Sequence, residues 1–116
     1  MSDDLDTCLP HALDEDKIRK AQEMMPEMEY VVSIFKVMAD ETRLSILWLL
    51  SVDEGCVHDL AAAVKTSVSN TSHHLRLLRA SRLVRSRKEG QRVFYSLDDE
   101  HVTRLLDEAF KHSKHN

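Results

Sequence analysis

Asp99, His101, His112 and His115 are the residues of this 116-residue sequence whose types most clearly suit chemistry. Three imidazoles and a carboxylate form a borderline donor set that fits tetrahedral Zn(II), with Co(II) as a surrogate. Residues 98–115, DDEHVTRLLDEAFKHSKH, read as one helix starting at an Asp98 cap. On it His101 and His112 point nearly the same way but lie about 16 Å apart along the axis. Zn–N bonds of about 2 Å cannot span that gap within one chain. Two copies of the helix packed antiparallel about a two-fold axis would place Asp99 and His101 of one beside His112 and His115 of the other, and symmetry would make two sites. His112 and His115, at i and i+3, share a face. Asp99 and His101, at i and i+2, diverge on an ideal helix and so need the irregular geometry of its first turn. HSKH alone would read as a solvated helix end; its complement at the other end makes it a half-site.

A second candidate set is softer. Cys56 and Asp59 stand at i and i+3 near the start of a short helix, with His58 between them, and Cys8 and His11 form a C-x-x-H pair near the N-terminus. Thiolate ligands would favour Cd(II), Pb(II) or Zn(II) over hard ions. Taken by itself, Cys56 also fits the small buried hydrophobe that free cysteines usually are.

The elements that must position these residues are mainly helical. Two glycines and two prolines leave little turn chemistry for a many-stranded fold. Asp14 or Asp16 caps a first helix through about Met24, and Pro26 suits the first turn of a second. The second carries Met28, Val31, Val32, Phe35 and Met38 as a stripe wide enough to pack on a partner. Asp40 caps ETRLSILWLLS, a strongly apolar helix in which Trp48 is read as core. CVHDLAAAVK and TSVSNTSHHLRLLRAS, the latter started by Thr66 or Ser67, form a helix-turn-helix candidate. In its second helix Val68, Thr71, Leu75 and Leu78 point inward, while Ser69, Ser72, His73 and Arg76 stand on another face that can donate hydrogen bonds, with Asn70 beside them. His74 is assigned to packing or a structural hydrogen bond.

From Leu83 the periodicity shifts to that of a hairpin around Lys88-Glu89-Gly90-Gln91, with Gly90 free to take positive φ. The expected architecture is therefore α+β, mainly helical with one small hairpin: a winged helix-turn-helix. Residues 1–15 read as a mobile arm and 16–116 as the folded domain. Residues 64–92 hold eight basic side chains against Glu89 alone, a net of +7 that leaves −11 for the remainder of a chain whose total is −4. That polarity would draw a phosphate backbone to one region. The helix face would then enter the major groove, with Arg87, Lys88 and Arg92 of the hairpin reaching the minor groove or phosphates. The longest apolar runs fall far short of a membrane span and the acidic start is no secretory signal, so a cytoplasmic location with reduced thiols and no membrane partner is expected.

MADETRLSILWLL, CVHDLAAAV, SVSNTSHHLRLLRASRLV, RKEGQRVFYSLDDEHV and HSKH together resemble the ArsR/SmtB metalloregulatory repressors from about Pro26 onward. The resemblance implies a homodimer, joined through the helices around 26–38 and 98–115, that binds double-stranded operator DNA when metal-free and releases it on Zn(II). It implies control of metal efflux or sequestration genes. It also identifies Asp99, His101, His112 and His115 with the family's D-x-H and H-x-x-H zinc ligands. A relay is implied from His112 to the backbone carbonyl at the end of the DNA-reading helix, near Arg82. The family's soft-metal site uses C-V-C-D or C-V-G-D where this chain has Cys56-Val57-His58-Asp59, which leaves open whether His58 or Asp59 joins Cys8 and His11. Two other readings stand beside this one. The trigger of a DNA-binding protein could be thiol oxidation at Cys8 and Cys56 or another small ligand. A zinc hydrolase using His73, His74 or the terminal site lacks a triad geometry and a strained nucleophile turn, so no enzyme is expected.

Overall fold

Asp40 and Ser67 act in the structure as their positions require. In the computed structural model, which describes residues 12–114, Asp40 accepts a hydrogen bond from Arg43 N–H at 3.0 Å, and Ser67 Oγ accepts from Asn70 N–H at 2.9 Å. Each side chain satisfies a donor that the first turn of a helix leaves without a partner. The helices so started are α3 (Glu41–Val52) and α5 (Val68–Ala80). They are preceded by α1 (Glu15–Met24), which Asp14 caps, and α2 (Glu29–Met38). Between them lies α4 (Val57–Val64); β1 (Val84–Glu89), β2 (Arg92–Leu97) and α6 (Glu100–Ser113) complete the order.

The core sits where α3, α5, β1 and α6 meet: Ile46, Leu47, Leu75, Leu78, Val84 and Leu106 are all fully buried. Each such side chain contributes about 1.5–3 kcal/mol through loss of apolar contact with water. Thr71 is buried with them because its hydroxyl donates to Ser67 O at 2.9 Å, inside its own helix. The two strands pair antiparallel in the register Arg87↔Phe94 and Glu89↔Arg92, closed by Gly90-Gln91 with Gly90 at φ 64. This is the winged helix-turn-helix expected from the sequence pattern.

Four local expectations shift. Pro26 lies before α2, which starts at Glu29 with Met28 as a cap that makes no side-chain bond. Asp99, not Asp98, caps α6: Asp98 N–H is taken by Leu83 O at 3.0 Å, which leaves Asp99 extended and free to accept from the helix. Trp48 is 48% exposed, since Ile46, Leu47 and Leu50 take the inward positions of α3 and Trp48 falls on the outer line with Glu41, Ser45 and Val52. Val68, first residue of α5, precedes the packed part of that helix and is 39% exposed. On α2, Met38 is buried while Met28, Val31, Val32 and Phe35 face solvent in this single chain.

Candidate functional site

The helix-turn-helix is built from α4, a tight turn and α5. Lys65 ends α4 in the left-handed region (φ 60, ψ 46), and Thr66 N–H donates back to Ala61 O, so the chain reverses without a glycine. Asn70 Nδ2 donates to Thr66 Oγ1 at 3.0 Å, tying the first turn of α5 to the connection before it. Ser69, Asn70, His73 and Arg76 are exposed and Ser72 is half-buried, so the face assigned to DNA is open. His74 turns the other way, its Nδ1 3.2 Å from an Arg43 guanidinium nitrogen; Arg43 Nε also donates to Val37 O at 2.6 Å. The pair links α5 to the end of α2.

The wing carries its charges on both faces. Arg87 and Arg92 share one face with Phe94, each guanidinium 4.9 Å from the ring centroid, whereas Lys88 pairs with Val93 on the other. Arg87 donates to Glu54 at 2.6 Å and lies 3.3 Å from Glu89. Phe94 and Glu54 were not singled out in the sequence. Phe94 was within reach, because the hairpin register puts it opposite Arg87 and two residues from Arg92; Glu54 is 33 positions from its partner and carried no local signal.

At the start of α6 the structure brings Asp99 and His101 together. Asp99 Oδ1 accepts from His101 N–H at 2.9 Å and Val102 N–H at 3.2 Å, and His101 Nδ1 lies 3.5 Å from the same oxygen. The hydrogen bond from Val102, followed by the contact with His101, holds the Asp99 carboxyl below the usual carboxylate range. The pair borders a recess of about 300 Å³ lined also by Tyr30, Ser81, Arg82 and Leu105, so it adjoins the C-terminus of α5. There Arg82 adopts φ 58; Leu83 N–H reaches Leu78 O at 2.9 Å and Arg82 N–H reaches Arg79 O at 3.0 Å, the paired bonds of a Schellman cap. His112 is exposed in the last turn of the same unbroken helix, and His115 lies outside the described residues.

Cys56 is the N-cap residue of α4 and is half-buried rather than a core hydrophobe. Its thiol donates to Asp59 Oδ2 at 3.4 Å, Arg92 donates to its sulfur at 3.8 Å, and His58 is exposed. Cys8 and His11 lie outside the described residues. Among the described residues of one chain no three ligand-type side chains converge; they come in pairs, Asp99 with His101 and Cys56 with Asp59.

Residues 40–86, which span α3 to the first strand, match the family described as bacterial regulatory protein, arsR family. Over 112 residues the chain is 40% identical to a cadmium resistance transcriptional regulatory protein CadC homolog from Staphylococcus aureus, covering 94% of this chain and 93% of that one. The chain belongs to the ArsR family. A transcriptional repressor SmtB homolog from Synechocystis is 40% identical over 101 residues, covering 82% of this chain and 76% of the relative. Among solved structures, a homodimeric winged helix-turn-helix DNA-binding domain from Mycobacterium bovis, described as a possible ArsR-family regulator, superposes with a TM-score of 0.66 at 30% identity, over 93% of this chain and 99% of that one. This ArsR-family chain is thus a transcriptional regulator by kinship, and no helix among its described residues is long and apolar enough to cross a membrane.

Proposed function

We propose that this ArsR-family protein is a metal-responsive repressor that binds operator DNA as a metal-free homodimer and is released by Zn(II), controlling genes for metal efflux or sequestration. The observation that carries the reading is the preformed Asp99–His101 pair at one end of an unbroken α6 whose other end holds His112. Half a coordination set at each end is useful only when a second copy supplies the rest. The exposed apolar stripe of α2, Met28 through Phe35, gives that copy a surface to bury. The donor chemistry fits: Asp99 is held ionised, His101 is open to solvent, and His112 and His115 of the second copy add imidazoles for a tetrahedral ion. When bound, the ion supplies a link between protomers.

In the metal-free dimer, Ser69, Asn70, Ser72, His73 and Arg76 enter successive major grooves about 34 Å apart, while Arg87, Lys88 and Arg92 reach phosphates. Because the Asp99–His101 pair shares a recess with Ser81 and Arg82, ligation there bears on the end of the reading helix, which is where the relay from His112 would arrive. A coupling of about 1–3 kcal/mol changes DNA affinity about 5- to 150-fold. Cys56 and Asp59, with Cys8 and His11 and His58 as the remaining donors, form a second, softer site for Cd(II) or Pb(II); Co(II) serves as a spectroscopic surrogate at the first. The decisive experiment is operator affinity by fluorescence anisotropy, with and without one equivalent of Zn(II), Cd(II) or Pb(II). Wild type should weaken with Zn(II) and His112→Ala should not; equal affinity with and without metal defeats the reading.

Thiol oxidation is the alternative trigger, favoured by the half-exposed Cys56 at a helix N-terminus beside Arg92. A zinc response that survives Cys8→Ser with Cys56→Ser and vanishes in His112→Ala excludes it.

A further inference from the structure

Three consecutive residues of the turn between α3 and α4 each hold the wing by a different bond. Glu54 Oε1 accepts from Arg87 at 2.6 Å. Gly55 exchanges two backbone hydrogen bonds with Tyr95, Gly55 N–H to Tyr95 O at 3.1 Å and the reverse at 2.8 Å. Cys56 Sγ accepts from Arg92 at 3.8 Å. Gly55 therefore adds a one-residue third strand to the hairpin, and the side chains on either side of it fall on the two arginines that share the face of Phe94. Arg87 and Arg92 are therefore both held by this turn in the unbound protein, Arg87 with Glu89 as a second carboxylate beside it.

We propose that Glu54–Cys56 is a clasp that positions the wing arginines for DNA, with Glu54 a competitor of phosphate for Arg87 and Cys56 the contact through which the thiolate site is felt at the wing. The first half stands on the clasp alone; the second rests on the soft-metal reading of Cys56. Glu54 and Arg87 are 39% and 50% exposed as side chains, and ion pairs so open to water are weak, so a phosphate can replace the carboxylate. The exchange has a cost all the same, because the displaced carboxylate remains close to the DNA backbone. At Cys56 the thiol loses its proton to solvent when the sulfur joins a soft cation, and the S–H donor to Asp59 is lost with it. The cation takes a sulfur lone pair and adds positive charge beside the guanidinium, so the contact with Arg92 is altered. The wing then changes within one protomer, without passing through the dimer interface.

The test uses the full chain, metal-free, with a labelled mixed-sequence duplex of about 30 base pairs, because wing contacts to phosphate do not depend on sequence. Glu54→Gln should tighten binding about 2- to 5-fold, and should change it less than about 1.5-fold in an Arg87→Gln background; equal effects in both backgrounds, or none in either, overturn the clasp. NMR of the arginine Nε–H groups provides a readout that needs no DNA. In Glu54→Gln the Arg87 signal should move, and in Cys56→Ser the Arg92 signal should move; signals unmoved in both variants overturn the clasp. With Cd(II) as probe, thiolate-to-metal absorbance should rise as the Arg92 signal shifts, and both changes should be missing in Cys56→Ser. Absorbance without an Arg92 shift overturns the second half. No absorbance at all defeats the soft-metal reading of Cys56 and the second half with it, leaving Glu54 and Arg87 to decide the first.

Discussion

Asp99 and Cys56 occupy the same local position, the N-cap of a helix, yet they face different parts of the molecule. Asp99 accepts from two N–H groups of α6, holds His101 at 3.5 Å, and looks toward Ser81 and Arg82 at the end of the reading helix. Cys56 makes no capping bond; its thiol donates to Asp59 and its sulfur faces Arg92 of the wing. A helix N-terminus favours an anion at both. The carboxylate is already ionised there, whereas the thiol must give up a proton before it can ligate. One device, a proposed anionic ligand at a helix start, can thus serve two outputs when neighbouring elements differ.

The largest expected effect separates the two sites outright. His101→Ala removes one of four proposed ligands and should weaken Zn(II) binding at α6 by about 100-fold or more, since loss of a mere supporting group already costs 10- to 100-fold. Cys56→Ser should leave that affinity within about 2-fold and abolish cadmium–thiolate absorbance. Competition titrations with a chromophoric chelator measure both. If Cys56→Ser weakens zinc as much as His101→Ala does, the sites are not separate.

A second pair of variants separates capping from ligation at Asp99 itself. Asparagine caps a helix about as well as aspartate but brings no charge to a metal. Asp99→Asn should therefore keep the melting temperature and weaken Zn(II) about 10-fold or more, while Asp99→Ala should lose both. Equal zinc affinity in Asp99→Asn and wild type would remove Asp99 from the ligand set.

Acid should act in two windows. Protons compete with metal for imidazole nitrogen, so zinc affinity should fall as the pH is lowered. Asp40 and Asp99 have carboxyls lowered chiefly by backbone N–H donors, Arg43 and Val102 respectively. A lowered folded value means that their contribution to stability is complete above the unfolded value of about 3.9 and is lost only as the pH falls from there through the folded value. Circular dichroism should show the fold still intact at the acid pH at which zinc is released. Loss of helix in step with loss of zinc contradicts this.

How much of this was legible depended on the distance over which each decision is made. Caps at Asp40 and Ser67 are decided within three residues, and the hydrophobic period of α5 shows which of its faces is left open to solvent. Asp98 and Asp99 are chemically identical neighbours, and the choice between them is made by Leu83 O, which claims the Asp98 N–H from another element. Trp48 misleads for a related reason: α3 is apolar nearly all round, so its pattern does not say which side is covered. Pairs such as Glu54 with Arg87 or Arg43 with His74 bring together residues far apart in the chain and leave no local trace. The pairing of Asp99 with His101 was readable because two ligand-type residues at i and i+2 make sense only at an irregular helix start.

The smallest expected effect concerns the end of the reading helix. Arg82 holds φ 58 in a Schellman cap, a conformation that suits glycine, so Arg82→Gly should raise stability by about 0.5–1 kcal/mol once the added freedom of the unfolded chain is counted. Chemical denaturation with matched slopes measures it. The relay proposed from His112 ends on a backbone carbonyl, and glycine keeps that carbonyl in place. Zinc should therefore weaken operator binding by the same factor in Arg82→Gly and in wild type, even though loss of a basic side chain lowers the absolute DNA affinity of both states. A stabilised variant that has lost its zinc response would move the relay from the backbone of this cap to the Arg82 side chain, and with it the link between the α6 half-site and the reading helix.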